Sequence, residues 1–231
     1  MIWLEKGRNA LLLFVETGGP VVAVLLAMSV LSVAVVLFKL WQFQIAGVGR
    51  HARLNKALAL WDNGLGSAAQ DMLKTSPSHL APLVSGAMQA VVSRRDTAGL
   101  SERLEASAQA QLTKLESKFR LLDSIAQLAP LLGLFGTVLG MIEAFKQLQG
   151  AGSAVDPSLL AGGIWVALLT TAVGLAVAMP TALLLTWLES RVARERLFAD
   201  TSLQRVLCPG VLMGKSQSAA PAPAEAAARA G

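Results

Sequence analysis

Hydrophobic and polar positions fall into long blocks along this chain of 231 residues. No charged residue occurs from Thr17 to Phe38, from Ser124 to Ile142, or from Pro157 to Leu188. Each run reaches the roughly 18 to 20 residues needed to cross about 30 Å of hydrocarbon. The third, at 32 residues, exceeds that need, so one end projects beyond the lipid or the helix tilts. The blocks predict three transmembrane helices, over residues 17–43, 123–146 and 161–188. The first run is longer than a signal-peptide core, and no small-residue cleavage site is followed by a soluble domain, so it is expected to remain as a span.

The intervening region, 44–122, turns polar and alanine-rich, with a break at Thr75-Ser76-Pro77-Ser78 that implies two or more helices. From Leu100 the apolar positions Leu104, Ala108, Leu112, Leu115, Phe119 and Leu122 recur every three or four residues, which predicts an amphipathic helix. Glu116 and Arg120 stand at i,i+4 on it. Nothing in the pattern interrupts it, so one long helix is expected from about Ser101 into the membrane. Such helices have too little apolar surface for a core of their own and are expected to pack with copies of themselves. Residues 1–16 alternate apolar and charged positions at helical spacing, as a segment lying on the outer interface does. Gly18, Gly19 and Pro20 then punctuate the chain, Pro20 suiting the first turn of the helix that follows. Lys39, Trp41 and Phe43 are placed to anchor the inner interface. A helical extension over 189–215 and a disordered Ala/Pro-rich tail over 216–231 complete the reading. The fold class is an all-α integral membrane protein, three transmembrane helices with long cytoplasmic helical extensions.

Composition agrees: 54% of residues are hydrophobic and 15% charged, against about 25% charged in soluble domains. The net charge of +5 could point to nucleic acid, but its distribution points elsewhere. Eleven of the twenty Lys and Arg residues lie between Lys39 and Arg120, six more follow the third span, and the 147–160 loop has none. The positive-inside rule then places the 44–122 region and the C-terminus in the cytoplasm, and the N-terminus and the 147–160 loop in the periplasm. The basic residues are topology determinants, and no nucleic-acid partner is expected. Lone Cys208 and the two histidines, His51 and His79, give no zinc-ligand spacing, so neither metal nor cofactor is expected.

Two spans carry small residues at helical spacing. Ala126, Pro130, Gly133, Thr137, Gly140 and Ala144 form one stripe; Gly163, Ala167, Thr171, Gly174, Ala178 and Ala182 form the other, with Thr170 beside it. Small residues let membrane helices approach closely, which makes Gly133, Gly140, Ala167, Gly174 and Ala178 packing candidates. Alternatively the stripes line a narrow pore or a groove for another helix, with Thr137, Thr171 and Thr170 supplying hydroxyls that hold water or bond a proton carrier. The two readings are compatible if only part of each stripe is packed. No ionisable residue lies in the central part of any span. If protons pass here, a partner supplies the titrating group.

Four stretches resemble the ExbB branch of the MotA/TolQ/ExbB family of ion-driven motor subunits. GGPVVAVLLAMSVLSVAVVLFKLWQF (18–43) is similar to the family's first span, APLLGLFGTVLGMIEAF (129–145) to its second and GGIWVALLTTAVGLAVAMP (162–180) to its third, with a cytoplasmic helix of the expected length between the first two. The resemblance implies a homopentamer in the bacterial inner membrane, whose central pore holds the helices of a single-span ExbD-like partner carrying a proton-binding aspartate. It also implies that Thr137 and Thr171 face that pore. Where the family often has a glutamate in a GIxEAL motif, this sequence reads GIWVAL, so Val166 replaces the acid.

The function implied is a proton-channel subunit that works with ExbD on a TonB-like protein to energise outer-membrane transport. A TolQ-like role in envelope integrity is the nearest alternative. A membrane scaffold without ion flow is a third reading, which Val166 keeps open. MotA relatives have four spans where this chain shows three. An enzyme is not expected: no nucleophile–base pair or phosphate-binding loop is recognisable, and the glycines of GLFGTVLG lie inside a span.

Overall fold

The computed structural model describes residues 2–93, 99–150 and 157–207. The tail expected over 216–231 and the centre of the 147–160 loop lie outside the described residues. The described residues include seven helices: α1 (Ile2–Ile45), α2 (Ala52–Asp62), α3 (Gly66–Lys74), α4 (Ala81–Val92), α5 (Leu100–Glu116), α6 (Phe119–Gly150) and α7 (Pro157–Leu207). No strand occurs among the described residues. Three helical stretches are long and apolar enough to cross a membrane: Gly19–Ile45, Glu102–Gly150 and Leu160–Leu207.

Gly19 interrupts α1 with φ 67 and ψ −165, a conformation that an L side chain would resist. Pro20 follows as the first residue of the membrane helix, where its missing N–H costs nothing. The amphipathic face expected over 1–16 rests on side chains outside the described ones.

Contacts divide the chain into two compact units, one drawn from Met1–Gln42 and Glu116–Ser190, the other from Phe43–Leu115 and Arg191–Gly231. In the first unit, Leu25 of α1 is buried with Ile125 and Ala129 of α6 and with Val177 and Ala178 of α7.

One expectation for this unit is corrected. The helix running from Ser101 into the membrane breaks between α5 and α6, where Lys118 takes φ 75. The register that would set Glu116 over Arg120 is therefore lost. A tertiary contact accounts for the break. Lys39 is fully buried; its Nζ donates to Gln42 Oε1 at 2.8 Å and to Ser117 Oγ at 3.1 Å, and it lies 5.6 Å from the centre of the Phe119 ring. A buried ammonium needs several acceptors, and turning the backbone at Ser117 and Lys118 supplies one. The Lys118 carbonyl then accepts from the Leu121 and Leu122 amides and starts α6.

The second unit corrects another expectation, because the helices of the 44–122 region bury a core within one chain. Leu54, Leu58, Leu73, Leu80, Val84 and Met88 of the α2–α4 region pack with Ala108 of α5 and with Ala199, Leu203 and Val206 of α7. Burying each large side chain contributes about 1.5–3 kcal/mol. Arg205 Nε donates to Asp62 Oδ2 at 2.6 Å and ties α7 to the end of α2. The turn after α1 meets the turn before α4 backbone to backbone: Gly47 has φ 66, and a Cβ there would overlap the Pro77 carbonyl oxygen.

Candidate functional site

The two small-residue stripes meet between α6 and α7. A Cβ on Gly133 would lie 3.0 Å from the Thr170 carbonyl oxygen and 3.1 Å from Thr171 Cα; one on Gly136 would strike the Thr170 hydroxyl at 2.6 Å; one on Gly140 would lie 3.2 Å from Ala167 Cβ. From the other side, a Cβ on Gly174 would lie 2.6 Å from the Ala129 carbonyl oxygen, and one on Gly163 would overlap Ala144. Partner numbers fall along α7 as they rise along α6, so the two helices run antiparallel. The contact face is Ala129, Gly133, Gly136, Gly140 and Ala144 against Gly163, Ala167, Thr170 and Gly174. Ala178 is buried one turn further along, beside Leu25.

Gly136 at the centre of this face and Ala129 at its end are absent from the stripe read in the sequence. They could have been found there, since 129, 133, 136, 140 and 144 repeat at the same three- and four-residue spacing.

The three threonines are placed differently from one another. Thr170 is 1% exposed, enclosed by the contact. Its single hydroxyl hydrogen has the Ala167 carbonyl at 2.7 Å and the Gly133 carbonyl at 3.2 Å and serves one at a time. Thr171 is half-buried and donates to the Gly133 carbonyl at 3.4 Å. Thr137 is also half-buried and donates to the Leu134 carbonyl at 2.7 Å.

Thr137 and Thr171 each follow a contact residue by one position, Gly136 and Thr170. One residue turns a helix by about 100°. In antiparallel neighbours that step swings both side chains towards the same edge of the interface. Because Gly136 lies against Thr170, the two flanking threonines stand within about a turn of each other on that edge. Their neighbours on the edge, Leu134 and Met141 of α6 and Leu168 and Leu175 of α7, are apolar. Each hydroxyl is bonded to a main-chain carbonyl and keeps lone pairs that can accept from water or from a protonated carboxyl. Val166 is half-buried and lies about 140° round α7 from Thr171, at the opposite edge of the contact. Among the described residues, no group of three or more His, Cys, Asp or Glu side chains is arranged to hold a metal ion.

Comparison with known proteins adds a second line of observation. The model of the MotA/TolQ/ExbB proton channel family matches residues 75–200. The chain is 40% identical over 105 residues to the biopolymer transport protein exbB1 of Vibrio cholerae, covering 44% of this chain and 43% of that protein. It is 29% identical over 167 residues to a putative ExbB-like biopolymer transport protein of Synechocystis, covering 72% and 79%. To the Tol-Pal system protein TolQ of Haemophilus influenzae it is 39% identical over 82 residues, covering 36% of each. The matches therefore span less than half of the Vibrio and Haemophilus proteins.

Proposed function

Since this chain belongs to the MotA/TolQ/ExbB proton channel family, we propose that it is the multi-pass inner-membrane subunit of a proton-driven motor that energises outer-membrane transport. It assembles as a homo-oligomer, a pentamer in this reading, around a single-span ExbD-like partner whose aspartate carries the proton, and acts on a TonB-like protein. One observation carries the reading: Thr137 and Thr171 meet at one apolar edge of the α6–α7 pair, in spans whose central parts hold no ionisable residue. Such an edge offers hydroxyls to a carboxyl that arrives on another helix, without the cost of a resident charge. Each proton passing down 100 mV releases about 2.3 kcal/mol, so a few suffice to rearrange a protein interface.

The match to the Haemophilus TolQ protein favours, as a second reading, the same motor engaged in envelope integrity. Both readings require ion flow, and a scaffold does not. Proton uptake into vesicles containing this chain and its single-span neighbour should exceed that of vesicles with either alone. Equal leak in all three would establish the scaffold.

The proposed orientation has the N-terminus in the periplasm and the C-terminus in the cytoplasm. In a Cys208→Ser background, which removes the only cysteine, Ser153→Cys should react with an impermeant thiol reagent applied to whole cells with a permeabilised outer membrane. Ser93→Cys should react only after lysis. The reverse pattern would refute this topology.

A further inference from the structure

The only two histidines in the chain, His51 and His79, converge on one buried carboxylate. Glu195 of α7 is 2% exposed. Its Oε1 accepts the Gly49 amide at 2.6 Å and stands 2.9 Å from His51 Nε2. Its Oε2 faces His79 Nε2 at 3.9 Å, beyond hydrogen-bonding distance. The His51 ring stacks on Phe198, one turn along α7, with ring centres 4.0 Å apart.

Local chemistry fixes the protons. The Ala46 carbonyl accepts from both the His79 amide and His79 Nδ1, each at 3.2 Å. A carbonyl cannot donate, so Nδ1 carries the hydrogen and Nε2 of the neutral ring is a bare lone pair. It points at a carboxylate oxygen that also lacks a donor; both atoms are buried without a hydrogen-bond partner. His51, by contrast, presents Nε2–H to Oε1. Charged groups around the cluster include Arg191 of α7, whose guanidinium approaches Gly49, Arg50, which lines one cavity with Gly49, His51 and Arg53, and Arg53 of α2, which donates to the Thr75 carbonyl in the turn that leads to His79.

We propose that His51, Glu195 and His79 form a pH-sensitive latch that holds residues 46–51, the turn leaving the first membrane helix, against α7 while His79 is neutral, and releases that turn when His79 takes up a proton. The reason lies in the geometry. Oε1 is already engaged by Gly49 and His51, and Oε2 stands 3.9 Å from His79 Nε2, so a cation at His79 gives up water for a coulombic attraction to Glu195 without a hydrogen bond to it. Burial accordingly holds His79 below the ordinary histidine value; Glu195 and the Ala46 bond pull the other way and His51 adds to the lowering. A base whose value is lower when the latch is closed binds its proton more readily when the latch is open. The closed state is therefore fully stabilised above the ordinary histidine value and loses that stabilisation as pH falls through the lower one. The latch is a property of the folded chain and does not depend on ion conduction.

Hydrogen exchange on the full-length protein in nanodiscs tests this, with rates corrected for the intrinsic pH dependence of amide exchange. Between about pH 7.5 and about pH 5.5, either side of the ordinary histidine range, protection of the 46–51 and 77–81 segments should fall. Its slope should approach about tenfold per pH unit, the limit for one proton. In His79→Asn the side-chain amide can still donate to Ala46 but cannot titrate, and protection should stay flat. A flat profile in the native chain, or an equal fall in the variant, overturns the proposal. Imidazole NMR of the native chain gives two titration curves without any substitution, assigned by His51→Gln. If the loss of protection follows neither curve, or follows His51, the latch at His79 is refuted.

Discussion

Gly174→Ala should loosen the α6–α7 pair, lowering the stability of the membrane unit by about 1–3 kcal/mol, the range for overpacking a tight contact. The new Cβ would stand 2.6 Å from the Ala129 carbonyl oxygen and 3.1 Å from Gly133 Cα. All of these are main-chain atoms, so no side chain can rotate to make room, and α6 itself has to move. Moving it also stretches the reach of Thr170 and Thr171 to the Gly133 carbonyl. Gly162→Ala is the matched control: it lies on the same helix, and nothing stands within 4 Å of its Cβ position. There alanine should be neutral or stabilising by up to about 1 kcal/mol through helix propensity alone. Thermal unfolding of both variants in mild detergent checks the pair. Coincident melting curves would mean that α6 and α7 are not held at glycine distance.

The second large effect is on function, with stability nearly unchanged. Thr137→Val and Thr171→Val should each reduce gradient-driven uptake about tenfold or more while leaving insertion and oligomer size intact. Valine keeps the shape of threonine and removes only the hydroxyl, and a side-chain hydrogen bond within a membrane averages only about 0.6 kcal/mol. Such a loss does not dismantle an assembly, but on the proposed reading each substitution takes from the apolar edge one of the two hydroxyls that flank the contact and would serve a proton carrier. Thr170→Val is the informative contrast. Its hydroxyl is enclosed in the contact and bonded to a carbonyl of its own helix, so uptake should remain close to that of the native chain. Uptake assays beside native mass spectrometry separate the outcomes. Equal loss in all three would tie the effect to packing, and no loss in any would exclude the edge from the ion path.

The membrane helices were legible because lipid imposes a simple rule: no charge over a fixed length. Charge asymmetry added an expected orientation to that frame. The three- and four-residue spacing of glycine and alanine identified which two spans carry close-packing faces, but not the angular centre of each face. Thr137 and Gly136 are neighbours in the motif, and only the docking of α7 shows that Gly136 is packed while Thr137 flanks the contact.

Features created by distant pairings were not legible. The break at Lys118 runs against a helical pattern that continues on both sides of it, and its cause, Lys39, reaches Ser117 from 78 residues away. The histidine cluster depends on Glu195, 144 residues from His51. In the sequence Glu195 is one of several charges on an amphipathic extension. The core of the α2–α4 region was missed for the same reason, since its short helices bury enough surface only when α5 and α7 close over them.

The buried position of Lys39 also bears on how the chain is made. The ribosome synthesises Lys39 78 residues before Ser117. At roughly 5–20 residues per second, the first membrane helix waits about 4 to 16 s with its ammonium at the lipid boundary before Ser117 and Phe119 exist. During that interval the flexible stem can carry the charge to water. The site is sealed only when α6 arrives, so the kink at Lys118 marks a late joint of biogenesis, closed after the helices on either side of it have been laid down.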